Sequence, residues 1–239
     1  MVRKRQRFLP RPLAAVLAGL AMAVACGREA PREPAPVRAP EPRQDARPVT
    51  PPPPRVVFLG DSLTAGYGLD AGEDYPSLVR LRLREAGIAA DVVNAGVSGD
   101  TSAGGLRRLD WSLDGHVAVL VVALGGNDAL RGLSTDDLRR NLAAIIDAAR
   151  QRRVTVVLAG MEAPPNLGRA YTTAFRQTYR DLAAQYRIAL IPFLLEGVAG
   201  QPALNQADLI HPNAEGAKRI ASLVWPFVER ALREAPPHD

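Results

Sequence analysis

The chain has 239 residues, with 30 Lys+Arg against 25 Asp+Glu and a single cysteine. Residues 1–55 carry 11 Lys+Arg and 4 Asp+Glu, whereas residues 56–239 carry 19 and 21. The basicity therefore belongs to the leading segment, and the near-neutral remainder argues against a nucleic-acid partner. One cysteine excludes an internal disulfide, and the sequence offers no Cys or His cluster for a transition metal.

Residues 1–25 begin with Arg3, Lys4, Arg5, Arg7 and Arg11 and continue as LAAVLAGLAMAVA without a charge. That apolar run is too short to span a bilayer, which needs about 20 residues. A basic start, an apolar middle and small residues at the end read as an export signal. Cys26 directly follows Ala23-Val24-Ala25 and resembles a bacterial lipoprotein cleavage box, although the pattern prefers Leu where Ala23 stands. The other reading is an ordinary secretory signal with an incidental Cys26. Gly27 rather than Asp after the cysteine points to outer-membrane sorting, so an exported, periplasmic, lipid-anchored protein is expected.

Residues 26–54 form the next unit, with ten prolines between Gly27 and Pro54 and few large apolar side chains. Such a segment cannot bury enough surface to offset its ordering entropy, and proline biases it toward an extended form of roughly 3.1 Å per residue. It reads as a tether.

Residues 55–239 suffice for one domain with a sizeable core. Apolar runs at 56–59, 92–93, 117–124 and 154–159 lack polar alternation and so predict strands buried on both faces, with a short fifth at 190–192. Helical patterns lie between them at 75–86, 103–113, 135–151 (capped by Ser134) and 171–186. A last helix spans 213–232, where Pro226 removes one hydrogen bond and predicts a kink. Alternating strands and helices imply an α/β fold: a five-stranded parallel sheet in a three-layer αβα arrangement.

The first strand stops at Gly60-Asp61-Ser62, which presents a small nucleophile at the carboxyl edge where open α/β sheets bind ligands. Ser62 could instead merely cap the next helix. A serine hydroxyl needs a base within reach, and that base needs an orienting group. Of the three histidines, His238 lies at the Pro-rich end and His116 opens a strand at the wrong edge. Only His211 has a carboxylate, Asp208, three residues before it on a tight turn. Asn94–Ser102 and Leu124–Asp128 place glycine turns at the same edge, and the backbone N–H groups of Ser62 and Gly99 with the Asn127 amide would supply donors for an oxyanion. The first turn lacks the Lys-Ser/Thr of a phosphate loop and the third glycine of a dinucleotide site, and Thr64 stands where a Gly-x-Ser-x-Gly elbow needs glycine. No cofactor is expected.

Taken in order, GDSLTAGYG, the Gly99 block, GGND and DxxHP resemble the four blocks of the SGNH (GDSL) hydrolase family, and NAGVSGDTSAGGL with LGGNDALRG look most like its bacterial arylesterase, thioesterase I and lysophospholipase branch. The resemblance covers residues 56 to about 232. It implies a flavodoxin-like fold, Ser62 as nucleophile, His211 as base, Asp208 as its partner, and Ser62, Gly99 and Asn127 as the oxyanion hole. In that branch the loop equivalent to 161–171 borders the acyl pocket, so Pro165, Leu167 and Tyr171 are expected to touch substrate; the alternative is that these side chains pack under the loop. The expected activity is cleavage of carboxylic esters or thioesters of short-to-medium acyl groups through an acyl-enzyme. Rival readings are a carbohydrate O-acetylesterase and a non-catalytic lipoprotein binding module; the presence of all five site residues weighs against the latter.

Overall fold

The computed structural model describes residues 52–236. The expected export signal with Cys26, the expected tether before residue 52, and His238 lie outside the described residues. Five strands, β1 (Arg55–Gly60), β2 (Asp91–Gly96), β3 (Val117–Ala123), β4 (Thr155–Ala159) and β5 (Ala189–Ile191), form one parallel sheet in the order β2-β1-β3-β4-β5. β3 is buried along its whole length and β1 from Val56 onward, as expected of unalternating Val/Leu runs covered on both faces.

The helices are α1 (Ser62–Ala65), α2 (Tyr75–Glu85), α3 (Ser102–Arg107), α4 (Leu109–Ser112), α5 (Gly126–Leu130), α6 (Thr135–Gln151), α7 (Arg169–Tyr186) and α8 (Ala214–Glu234). α2 packs against α8, while α6 packs against both α3 and α7, giving the two helical layers around the sheet. Side-chain caps fix their starts: Asp74 accepts from the Ser77 N–H at 2.9 Å, Ser134 from Asp136 at 3.2 Å, and Asn213 from Gly216 at 3.0 Å. α6 buries Leu138, Leu142, Ile145 and Ile146 on one stripe, each such side chain contributing about 1.5–3 kcal/mol.

One expectation changes. The single helix predicted at 103–113 is two, because Gly104 and Gly105 weaken helix formation and Arg108 leaves helical angles at φ −105°, ψ 9°. The last helix, expected over 213–232 with Pro226 inside it, spans Ala214–Glu234.

Register places the site. Gly60 pairs with Gly96 on one side and Ala123 on the other, so β1, β2 and β3 end level. Ser62, Gly99 and Asn127 follow those ends by two, three and four residues. Because the chain leaves β1 for β2 on one side and returns to β3 on the other, this is the switch point where a crevice opens.

Candidate active site

The turn at Ser62 is built by the residues around it. Asp61 is the cap of α1, its Oδ1 accepting the Leu63 N–H at 3.0 Å. Ser62 is thus the first helical residue rather than the cap, and its hydroxyl is left for other work. At Gly60 a Cβ would lie 1.9 Å from Thr64 Oγ1, and Thr64 is itself locked by a buried 2.8 Å hydrogen bond with the Tyr75 hydroxyl. Only glycine admits so tight a return.

His211 is delivered by a turn in which Leu209 takes a left-handed conformation (φ 58°). That bend lets Asp208 Oδ1 accept the N–H groups of both Ile210 and His211 at 2.9 Å, while Oδ2 lies 2.6 Å from His211 Nδ1. The imidazole hydrogen bond and then the two backbone donors hold the Asp208 carboxyl down at about 2. With the Nδ1 proton directed at an ionised carboxylate, Nε2 keeps its lone pair toward Ser62 Oγ, 2.9 Å away. The chain Asp208–His211–Ser62 is continuous.

Gln206, which sequence reading did not single out, ties this turn to the first. Its N–H donates to the His211 carbonyl at 2.8 Å, and its Nε2 donates to the carbonyls of Tyr67 at 2.6 Å and Pro212 at 3.0 Å. The Tyr67 ring lies 4.7 Å from that of His211.

Across the crevice, Gly99 has φ 83°, which a side chain would strain, and its carbonyl accepts from Arg131 Nη2 at 2.8 Å. Asn127 Nδ2 donates to the Asp100 carbonyl at 3.0 Å and lies 3.4 Å from Asp61 Oδ2. The Ser62 and Gly99 N–H groups have no acceptor among the described residues. The neighbouring Asp128 is buried and accepts from the Ser102 N–H at 2.7 Å and Oγ at 2.5 Å, which fastens α5 to α3. Burial pushes the Asp61 carboxyl up to about 6 despite its hydrogen bonds to Leu63 and Asn127.

Ser62, Gly99, Asn127 and His211 line one cleft of about 680 Å³, walled by Leu130, Met161, Pro164, Pro165, Phe193, Leu195 and Ile210. Pro165 is therefore at the cleft, but Leu167 and Tyr171 are not on its wall. A 3₁₀ turn over Pro165–Leu167 and Gly168 at φ 83° lead the chain into α7. There the Tyr171 hydroxyl donates to the Leu133 carbonyl at 2.7 Å and its ring stacks on Phe175. Leu195 and Ile210 take the wall positions instead, and their signal was available: Leu195 lies in the turn that follows the end of β5, and Ile210 lies between Asp208 and His211 in their turn. A second groove of about 520 Å³, along Thr155, Val156 and Ile188–Leu190, holds none of the five residues.

A parallel α/β sheet that brings a serine hydroxyl, a histidine held by a carboxylate and unused N–H donors together at its carboxyl edge has the arrangement of a hydrolase. The sequence matches the GDSL-like Lipase/Acylhydrolase family over residues 58–219, and the chain belongs to that family. It is a GDSL-type ester hydrolase. It is 43% identical over 178 residues to Esterase TesA of Pseudomonas aeruginosa, covering 74% of this chain and 89% of that protein. It is 38% identical over 185 residues to Thioesterase 1/protease 1/lysophospholipase L1 of Escherichia coli, covering 77% and 86%. The crystal structure of TesA superposes with a TM-score of 0.72 at 43% identity, covering 74% of this chain and 99% of that one. The TesA structure thus shares the fold described above.

Proposed function

We propose that the protein is an exported, lipid-anchored serine hydrolase that cleaves carboxylic esters and thioesters of short-to-medium acyl groups through an acyl-enzyme. The observation that carries this is the hydrogen-bond chain from Asp208 through His211 to Ser62 at the mouth of an apolar cleft. Ser62 Oγ attacks the acyl carbonyl carbon as its proton passes to His211 Nε2, and the carbonyl oxygen becomes an oxyanion held by Ser62 N–H, Gly99 N–H and Asn127 Nδ2. When the tetrahedral species collapses, His211 returns the proton to the departing alcohol or thiol. Water then repeats the sequence on the acyl-enzyme, with His211 again taking and returning one proton. Asp208 keeps the imidazole in the tautomer that can accept.

The cleft wall of Met161, Pro164, Leu195 and Ile210 favours an acyl chain over a sugar, because each buried methylene contributes about 0.8 kcal/mol. The relatives' names, esterase and thioesterase/lysophospholipase, agree with that substrate class. Placement in the periplasm on an outer-membrane lipid anchor is supported by the sequence around Cys26 alone. The test of substrate class is kcat/KM for aryl esters and thioesters from acetyl to decanoyl, set against acetylated sugars. Faster turnover of the acyl esters is expected. A preference confined to acetyl, with acetylated sugars turned over fastest, would replace this reading with an O-acetylesterase.

A further inference from the structure

The three proposed oxyanion donors come from three separate segments, the start of α1, the loop after β2 and the first turn of α5, and one side chain touches the framework of all three. Arg108 sits at the break between α3 and α4 with its side chain only 18% exposed. Its Nη2 donates to the Gly60 carbonyl at 2.8 Å, two residues before Ser62. Its Nη1 donates to the Ala95 carbonyl at 2.6 Å, at the end of the strand that leads to Gly99. Its Nε meets Asp100 Oδ2 at 2.6 Å, and the Asp100 carbonyl is the acceptor that fixes Asn127 Nδ2. The backbone makes room for this arrangement, since a Cβ on Gly104 would lie 2.4 Å from Asp100 Oδ1.

From this geometry we infer that Arg108 is the positioning residue of the oxyanion hole: one guanidinium sets the spacing of the Ser62 turn, the Gly99 loop and the Asn127 amide. Arg108 does not line the cleft, so it acts through those groups and not on substrate. A guanidinium suits the task because its planar fork offers donors in fixed relative directions, whereas an ammonium is a single point charge that cannot keep three acceptors in register. Its partners are two strand-end carbonyls and a carboxylate; the Gly60 carbonyl keeps the Val97 N–H at 3.0 Å, so removing the guanidinium takes one donor from each partner and lets the three segments drift. Displacement of oxyanion donors is felt where charge develops and not in ground-state binding, which makes kcat the sensitive quantity. The inference rests on the serine-hydrolase reading of this cleft.

The test is steady-state kinetics on one aryl ester with Arg108→Ala, Arg108→Lys, Asn127→Ala, the Arg108→Ala/Asn127→Ala pair, Ser62→Ala, and the exposed-neighbour control Arg107→Ala. Expected for Arg108→Ala is a kcat loss of about 10²-fold with KM within about threefold, partly recovered by added guanidinium ion, and with Arg107→Ala unchanged. Once Asn127 is gone, losing Arg108 should cost less than about tenfold more, since the two act through one oxyanion. Should Arg108→Ala fold poorly, Arg108→Lys keeps the charge and stem, and the same selective loss of kcat is expected of it. Wild-type-like kcat in both Arg108 variants, or equal cost with and without Asn127, overturns the inference. Turnover surviving in Ser62→Ala would instead overturn the serine reading itself, so the two failures are distinct.

Discussion

The amide nitrogen of Asn127 stands between the Asp100 carbonyl, 3.0 Å away, and Asp61 Oδ2, 3.4 Å away. An amide nitrogen carries two hydrogens, so one is fixed on Asp100 while the other makes a long, weak contact with a carboxylate. That second hydrogen is the one an oxyanion can take over at small cost. The same contact puts a buried carboxylate beside the position where negative charge develops, and burial answers by favouring its neutral form.

Asp61 should therefore be visible in stability against pH. Its carboxyl is raised from 3.8 to about 6 by burial. Between those values the native state binds more protons than the unfolded chain, so this group's contribution to stability falls as pH rises through the window and is level above it. The size is about 2–3 kcal/mol at most, taking about 1.4 kcal/mol per unit. Urea unfolding at several pH values from 4 to 7 should show wild type losing this amount relative to Asp61→Asn. Parallel curves for the two proteins would contradict the assignment.

Asp208 has the opposite sign. Held at about 2 by His211 and two backbone donors, it contributes stability that is present above 3.8 and disappears only as pH falls toward 2. It is therefore ionised throughout mild acid and does not set any loss of activity there. Asp208→Asn should lower kcat by about 10²–10⁴, because the imidazole loses its tautomer control, while unfolding curves from pH 5 to 8 keep their shape. A kcat within about threefold of wild type would remove Asp208 from the mechanism.

The strands and the Ser62, Gly99, Asn127, Asp208 and His211 positions were legible because each lies on a short-range pattern: an unalternating apolar run, a glycine turn after it, or a carboxylate three residues before a histidine. Asp61 as the cap was less legible, since Asp and Ser are both good caps and only the observed Asp61–Leu63 hydrogen bond separates them. Arg108 and Gln206 were not legible at all. Their acceptors lie up to 139 residues away in sequence, and an arginine or glutamine on a helix or turn normally reads as solvated. Leu167 and Tyr171 lie off the cleft wall because a loop's apolar content does not say which way each side chain turns, and Tyr171 is held by the Leu133 carbonyl and Phe175 instead.

Chain-length preference should follow the cleft wall. Leu195 lines it and Leu167 does not, so Leu195→Ala is expected to lower kcat/KM for hexanoyl and longer esters several-fold relative to acetyl, on the scale of about fourfold per lost methylene contact. Leu167→Ala should leave the ratio unchanged. The reverse pattern would move the acyl chain to the other side of the 161–171 loop.

Cell fractionation tests the anchor. If Cys26 becomes the lipidated first residue, Cys26→Ser should leave the protein in a soluble fraction or leave its leader uncut. Unchanged fractionation with unchanged mature mass would assign an ordinary secretory signal.

The proposed covalent intermediate forms on Ser62, and intact-mass analysis after treatment with a fluorophosphonate reads it out at that residue. One adduct per chain is expected, mapped to Ser62 and absent in Ser62→Ala, with the variant folded and its ester turnover reduced by about 10⁴-fold or more. An adduct mapped to another residue, or turnover retained in Ser62→Ala, would contradict it.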